Sequence, residues 1–437
     1  MTWLASFIWN PFLSLIYLEI GFLLLIVTRG LSWRGALSVR RWWPNVTSAG
    51  LDKHHIDHKS AFIAALATSI GVGNLAGVGT AIHLGGPGAL FWMWMSALAG
   101  TAFRMCSAYF AIISNEKKDP RLFATPMSYM ERFLPRSWAK LSMVLAGLIL
   151  VKGLVTANII QANSVAHAVT NQLGVPTLLV AVVLCFLVGV VVVGGIQSIV
   201  RFSTTIAPWM LLLYVVMGLI ILLGSPLRTL EALGLVFHYA FQPYSVAGGL
   251  IGYTVMQAIQ YGVSRGVFSH GSGIGIAPFL QGANTDHPAR GAFLAALVPF
   301  IDTIIICSIT GLVVLSVGDW REITGAYLTV SAFSTALGGI GQLVVLVSLI
   351  LFAFTTMISW AHFSERCFVY LGGRNVMFYR WFFSAVTFCG PFFPVAFIWS
   401  VGDVLIGLML IVHLVPLTYI TLINLTSLRK KLSLFLD

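Results

Sequence analysis

Apolar residues in this chain do not alternate with polar ones at a strand or helix period. They run on for twenty residues or more with one charge or none. Each run is long enough to cross a hydrocarbon layer of about 30 Å as a helix. The pattern predicts spans near 5–28, 61–84, 87–113, 141–166, 177–198, 204–224, 246–279, 291–317, 339–364, 379–399 and 402–425. Segment 227–242 (LRTLEALGLVFHYAFQ) has an apolar face but is too short and too charged to span, so it reads as a helix lying on the outer surface. Loop 114–140 begins NEKKDP and carries PMSYMERFLPR, which predicts a short cytoplasmic helix bounded by prolines.

Composition agrees and excludes a soluble protein. The 437 residues are 58% hydrophobic and 9% charged, against about a quarter charged in soluble domains. The expected fold class is all-α, a polytopic helical membrane protein of about 11 transmembrane helices in one unit. A net charge of +11 would ordinarily raise nucleic acid as a partner, but here the basic residues sit in short loops between apolar spans. With the N-terminus outside, loops 29–60, 114–140, 199–203, 280–290 and 365–380 and the C-terminal tail hold twenty of the twenty-five Lys and Arg, while the opposite loops hold Arg228 and Arg321. That bias of about ten to one predicts N-out, C-in insertion in the plasma (inner) membrane. Cys106, Cys185, Cys307, Cys367 and Cys389 lie in or beside apolar runs without a CxxC pair, so neither a disulfide framework nor a zinc site is indicated. Residues 5–28 lack a basic n-region and cleavage site and read as a retained span.

Two spans are poor helices by their own composition. Span 61–84 has Gly71, Gly73, Gly77 and Gly79 in its middle, and span 246–279 has Gly262, Gly266, Gly271, Gly273 and Gly275. Each glycine inside a helix costs about 1 kcal/mol relative to alanine. A glycine pair can mark close helix packing, but these clusters contain Asn74 and His270 and occupy matching positions in two halves of the chain. The expected organisation is an N-terminal helix and linker (1–60), a first five-helix repeat (61–225), an extracytoplasmic interfacial segment (226–245), a second, inverted repeat (246–425) and a cytoplasmic tail (426–437). Such pairing is the signature of an inverted-repeat transporter. Unwinding at glycine frees carbonyls for a cation, and a half-helix starting near Asn74 would point its N–H groups at a carboxylate. Unwound backbone at that depth is tolerated where it lines a cavity. The pattern therefore implies a small anionic or zwitterionic solute and a coupling ion.

The run GVGNLAGVGTAIHLGGPGALFWMW (71–94) resembles the signature stretch of the alanine or glycine:cation symporter family. PMSYMERFL (126–134), QANSVA (161–166), RGVFSHGSGIGIAP (265–278), TDHPARGAF (285–293), FIDT (300–303) and FTTMISWAHFSER (354–366) match that family in the same order, over roughly residues 45–425. The resemblance implies the five-plus-five inverted-repeat fold of sodium-coupled amino-acid transporters with one extra N-terminal helix. It implies cation-coupled symport of a small neutral amino acid such as alanine or glycine, with sodium as coupling ion, no cofactor and no nucleotide.

By this resemblance Asn74 contacts the substrate together with the backbone of Gly71, Val72 and Gly73, and Gln161 reaches its polar groups. Helical spacing puts Asn158 and Gln161 on one face. Polar side chains within spans also serve simply to join helices. Trp360 would wall the site and limit side-chain size. Thr355 and Thr356 are adjacent hydroxyls in an apolar stretch, and with the carbonyls of Ala67 and Ile70 they would form the sodium cage that the fold resemblance points to; the bland role of such threonines is to bond back to the preceding turn. The chain departs from the family where Val72 stands for a usual Thr, and where His270, Gly271 and Ile276 replace Asn, Glu and Ser. Lys152 lies inside a span, where a charge is expensive and generally functional. His270, titrating near neutrality, and Lys152, as an internal cation, are the candidates for proton coupling; the bland alternatives are a helix-end histidine and a snorkelling lysine. Asp302 and Glu19 are further intramembrane carboxylates, with Arg265 or Arg104 expected beside Asp302.

The sharpest enzyme-like pattern is HHIDH (54–58), in which His54, Asp57 and His58 mimic an H-x-x-E-H zinc motif. It has no evident third ligand, its Asp is one methylene short, and it lies in a basic linker. GxSxG, P-loop and Rossmann fingerprints are missing, so the expectation is a transporter driven by an ion gradient and not an enzyme. A channel built from the same helices is the remaining alternative, which the paired broken helices disfavour.

Overall fold

In a hydrocarbon layer every backbone N–H and C=O must find its partner within the protein, and this chain meets that condition with helices. The computed structural model describes residues 2–39, 57–114, 122–138, 140–245, 252–282 and 287–436. The N-terminal run is divided: α1 (Thr2–Ile8) and α2 (Pro11–Val27) meet at Asn10, whose side chain accepts from Leu13 N at 3.1 Å. The single helix expected over 5–28 is therefore two, because Pro11 opens a new helix behind that cap. α3 (Leu31–Leu37) is bent 71° from α2.

The first interrupted span comprises α4 (His58–Ser69), a π-helical turn at Gly73–Gly77 and α5 (Val78–Gly85), bent by 50° at the break. Then come α6 (Ala89–Ser114), the short α7 (Pro126–Phe133), α8 (Lys140–Leu154), a π-helical stretch at Val155–Ile159, and α9 (Ile160–Leu173). α10 (Thr177–Val193), α11 (Gly195–Gly224) and α12 (Pro226–Tyr239) complete the first half. The second half has α13 (Val255–His270), the one-turn α14 (Pro278–Gln281), and α15 (Pro288–Pro299), which runs through a π-helical stretch at Phe300–Cys307 into α16 (Ser308–Val317). It ends with α17 (Gly325–Tyr370), α18 (Val376–Cys389), α19 (Val395–Ile423) and α20 (Leu425–Leu436). The strands among the described residues are one antiparallel pair, Tyr244–Ser245 with Gly252–Tyr253.

Three boundaries differ from the sequence reading. Residues 199–203 belong to α11, because the chain turns at Gly195, whose φ is +70°, and nothing breaks the helix after it. Residues 325–337 are helical and join the next span at Gly338 (φ 62°, ψ −146°). The last two spans part at Gly390–Pro394 and not near 400, since Pro391 and Pro394 supply no N–H to continue a helix.

Six of the described helices are long and apolar enough to cross a membrane unaided, and eight if each of two bent pairs counts as one span. Large apolar side chains such as Phe186, Val190, Leu219 and Leu223 face outward on α10 and α11, as suits a multi-pass membrane protein with lipid against those faces. α12 is fastened to α6 by aromatic contacts, Phe237 lying 5.9 Å from Phe91 and 5.7 Å from Trp94, and by Trp92 Nε1 donating to the Ala240 carbonyl at 3.0 Å. The interior has two large apolar clusters and a small third one of Ile159, Ile160 and Ile398. Leu66 belongs to the one around α2, α6, α13 and α15, while Ala67 and Ile70 belong to the other, around α10, α11, α16 and α17. α4 thus ends on the seam between them.

Candidate substrate and ion site

Asp57 caps α4, accepting from Ser60 N at 2.9 Å, and the helix stops at Ser69 because Ile70 is extended (φ −77°, ψ 101°). The freed backbone is tied by side chains. Gly71 N donates to Asn74 Oδ1 at 2.9 Å, and Val72 N donates to Gln161 Oε1 at 3.1 Å. Asn74 Nδ2 in turn donates to Asp302 Oδ1 at 2.9 Å and to its carbonyl at 3.2 Å. Asp302 also accepts from Ser269 Oγ at 2.7 Å and Thr303 Oγ1 at 2.9 Å. Gly71 has to be glycine: a Cβ there would stand 2.6 Å from Thr356 Oγ1 and 3.4 Å from Gln161 Oε1.

The second interruption lies past the end of α13, where Gly271, Gly273 and Gly275 all have positive φ. Gly262, counted with them in the sequence, sits inside α13 and lets it close onto the Ala89 carbonyl of α6, so that glycine does mark close packing. His270 Nδ1 accepts from Ser272 N at 3.0 Å, which leaves Nε2 to carry the proton shared with Ser96 Oγ at 3.2 Å. In this arrangement His270 is a neutral, fully engaged ring. His413, which the sequence reading passed over, holds the same loop, with Nδ1 2.7 Å from the Gly273 carbonyl and Nε2 2.6 Å from Tyr129 Oη.

Between the two interruptions is a small cavity of about 20 Å³ whose walls include Thr68, Gly71, Gly73, Lys152, Gln161 and Trp360. Sequence reasoning named all of these but Thr68. Asn74 and Val72 are fully buried and do not line it; the Asn74 amide is engaged by Gly71 and Asp302. Asn158 turns away from Gln161, donating to the Phe383 carbonyl at 2.9 Å and accepting from Thr387 Oγ1 at 2.8 Å. The expected shared face fails because Asn158 lies within the π stretch Val155–Ile159, where the regular helical spacing does not hold.

The four oxygens expected for an ion lie in two pairs along the end of α4. Thr355 Oγ1 lies 2.9 Å from the Ala67 carbonyl, and Thr356 Oγ1 lies 3.2 Å from the Thr68 carbonyl and 3.5 Å from that of Ile70. Thr355 also bonds back to Leu351 and Phe352. A hydroxyl oxygen accepts as well as donates, so with its proton turned aside each pair presents oxygens of the kind a hard cation takes.

Asp302 makes no direct hydrogen-bonded ion pair with Arg265 or Arg104, although Arg104 lies near enough to act on it through its charge. Arg265 instead meets Asp403 through two 2.8 Å bonds, an acid the sequence reading missed because it lies 138 residues away. Arg104 Nη2 donates to Ser69 Oγ at 2.9 Å and to the His270 carbonyl at 2.8 Å. The Arg265–Asp403 pair lines a larger cavity of about 620 Å³, with His83, His167 and Trp399 among its walls. Trp399 stacks on Phe268 at 4.8 Å, and Phe268 faces the smaller cavity. This stack is the partition between the two spaces.

Of HHIDH, His54, His55 and Ile56 lie outside the described residues, while Asp57 serves as the α4 cap. Among the described residues no group of three or more His, Cys, Asp or Glu is placed to hold a metal.

Known proteins carry the same pattern. The sequence model of a family described as the sodium:alanine symporter family matches residues 1–431. An uncharacterized transporter of Haemophilus influenzae is 39% identical over 84% of this chain and 81% of its own length. The sodium/alanine symporter AgcS of Methanococcus maripaludis is 36% identical over 94% of this chain and 92% of its own. Among solved structures, that of MhsT in complex with L-phenylalanine superposes with a TM-score of 0.60 at 13% identity, covering 88% of this chain and all of that one; at that identity the likeness concerns the fold.

Proposed function

The chain belongs to the sodium:alanine symporter family, and from that premise we propose that it is a secondary active transporter coupling sodium entry to uptake of a small neutral amino acid such as alanine or glycine. Membership in a transporter family also sets aside the enzyme reading of HHIDH. The observation that supports the coupling reading best is the approach of Thr355 and Thr356 to the carbonyls that end α4, directly beside Gly71 in the cavity wall.

In this reading sodium is cargo. It would take the hydroxyls of Thr355 and Thr356 and the carbonyls of Ala67 and Ile70, with Thr68 adjoining. The substrate would sit against Gly71, Gly73, Gln161 and Trp360, with Val72 and Asn74 fixing the backbone behind them. Because Gly71 adjoins both sets, an occupied ion site holds the broken backbone in the shape the substrate requires, which is how the two bindings would couple. Alternating access would work by moving the interrupted spans between openings on the two sides. The two five-helix repeats (61–225 and 246–425), the surface position of α12 and the N-out, C-in orientation belong to the same proposal, the last resting on the loop-charge bias.

Uptake of labelled alanine and glycine into proteoliposomes, with a sodium or a proton gradient imposed, tests this. Sodium-dependent uptake supports it; uptake that follows protons alone replaces sodium with a proton-coupled carrier, and a conductance without saturation by amino acid replaces the carrier with a channel.

A further inference from the structure

Lys152 lines the small cavity, is 4% exposed and, among the described residues, meets no carboxylate. Its ammonium lies 4.1 Å from the Trp360 ring centroid and 5.6 Å from that of Phe268. The other interior cations are provided for: Arg265 by Asp403, Arg380 by Glu365, and Arg104 by Ser69 and the His270 carbonyl. Attraction to two ring faces offsets only part of the hydration an ammonium gives up on burial. An ammonium at this depth calls for a counter-charge, and none stands beside it among the described residues.

The local helix geometry brings this charge to the site. Nine residues separate Lys152 from Gln161, which on a regular helix would place them about 180° apart. The π stretch Val155–Ile159 inserts an extra residue, reducing the effective separation to roughly eight and the angle to about 80°. Both side chains consequently reach the same cavity. That cavity then holds two independent attractions for anions, the ammonium of Lys152 and the N-terminal end of the half-helix running from Gly73 to Gly85. A neutral amino acid has one carboxylate for the two.

We infer that the solute whose charges match the lining of this cavity best is a short amino acid with a second carboxylate on its side chain, and that Lys152 receives that group once the roughly 20 Å³ space opens to admit it. This rests on the reading of the cavity as the substrate site and extends its solute class from neutral to acidic amino acids. The α-carboxylate takes the half-helix end, the side-chain carboxylate pairs with Lys152 above Trp360, and Gln161 Nε2 remains available to either.

The test compares each acid with its own amide, so that size and shape are held constant. Purified protein in sodium buffer is titrated with L-aspartate, L-asparagine, L-glutamate and L-glutamine, reading the shift in melting temperature, and the same compounds are used to compete with any labelled alanine uptake. The expected result is that one acid binds at least about tenfold more tightly than its amide. Lys152→Gln brings that ratio to about one, and Lys152→Arg keeps it above one. Equal binding of acid and amide by the unaltered protein overturns the inference, as does a ratio unchanged in Lys152→Gln. If Lys152→Gln does not fold, the acid-to-amide ratio of the unaltered protein decides the solute class. Alanine uptake without acid preference removes the inference and leaves the proposed function standing; acid binding without alanine uptake does the reverse.

Discussion

Arg104 donates to the carbonyl of His270 at 2.8 Å, and the same Nη2 donates to Ser69 Oγ at 2.9 Å. One buried guanidinium therefore holds the last residue of α4 and the last residue of α13, the two helices that stop short in the membrane. A helix end carries partial negative charge from its unpaired carbonyls, so a cation there is well placed as well as hydrogen-bonded. Arg104→Gln should lower stability by about 2–4 kcal/mol, the loss of charged hydrogen bonds in a buried setting. Arg104→Lys should recover part of that, since a single ammonium lacks the planar fork. Thermal unfolding in detergent measures both, and a melting temperature unchanged in Arg104→Gln would refute the bridging role.

Removing a hydroxyl from the candidate ion cage should act on sodium before it acts on the fold. Thr356→Ala deletes the oxygen near the Thr68 and Ile70 carbonyls, and Thr355→Ala the one near Ala67. At roughly 1–1.5 kcal/mol per lost oxygen contact, the sodium concentration for half-maximal uptake should rise about tenfold in each. Thr356→Ser keeps the oxygen and should stay close to the original. Sodium titrations of alanine uptake read this out, and a rise in the alanine requirement with no change in the sodium requirement would move the ion elsewhere.

How much of this was readable beforehand differs by feature. The spans and the interruption at Gly71–Gly73 were legible because they are written in local composition: long apolar runs, and glycines too dense for a continuous helix. The convergence of Thr355 and Thr356 on α4 came through family resemblance, since nothing local distinguishes those hydroxyls from threonines that bond back to their own turn, which Thr355 also does. The Arg265–Asp403 pair was illegible because its halves lie in different spans. The divergence of Asn158 from Gln161 was missed because spacing rules assume a regular helix and no sequence signal marked the π stretch. Gly338 went unread as a junction because a glycine next to Gly339 reads equally well as a loop.

Gly71 offers a test that needs no ligand to be identified. Its alanine variant would bring a methyl 2.6 Å from Thr356 Oγ1, and no helix can absorb the shift because the backbone there is already pinned by Asn74 and Gln161. Gly71→Ala should abolish uptake and cost about 1–3 kcal/mol through overpacking. Adding Thr356→Ala clears the nearest obstructing atom and should recover most of the stability while uptake stays low, because the hydroxyl is gone. Melting curves of the two single variants and the double variant give the coupling; strictly additive losses would mean that Gly71 and Thr356 do not press on one another.

The Arg265–Asp403 pair stands on the large-cavity side of the Phe268–Trp399 partition, with the Arg265 guanidinium 5.1 Å from the Trp399 ring centroid. Its two parallel bonds fix the guanidinium plane, and through it the indole that closes the small cavity from that side. Asp403→Asn would leave Arg265 without its counter-charge at a largely buried position, costing about 2–3 kcal/mol, and it should loosen the partition. The expected signature is faster escape of bound solute toward the large cavity, seen as a higher substrate concentration for half-maximal uptake with sodium dependence retained. Exchanging the partners, Arg265→Asp with Asp403→Arg, restores the charge balance but not the ring contact, so stability should recover more than apparent affinity. If the exchange is no better than Asp403→Asn on either measure, the pair does not act as a pair, and Trp399 is held by packing alone.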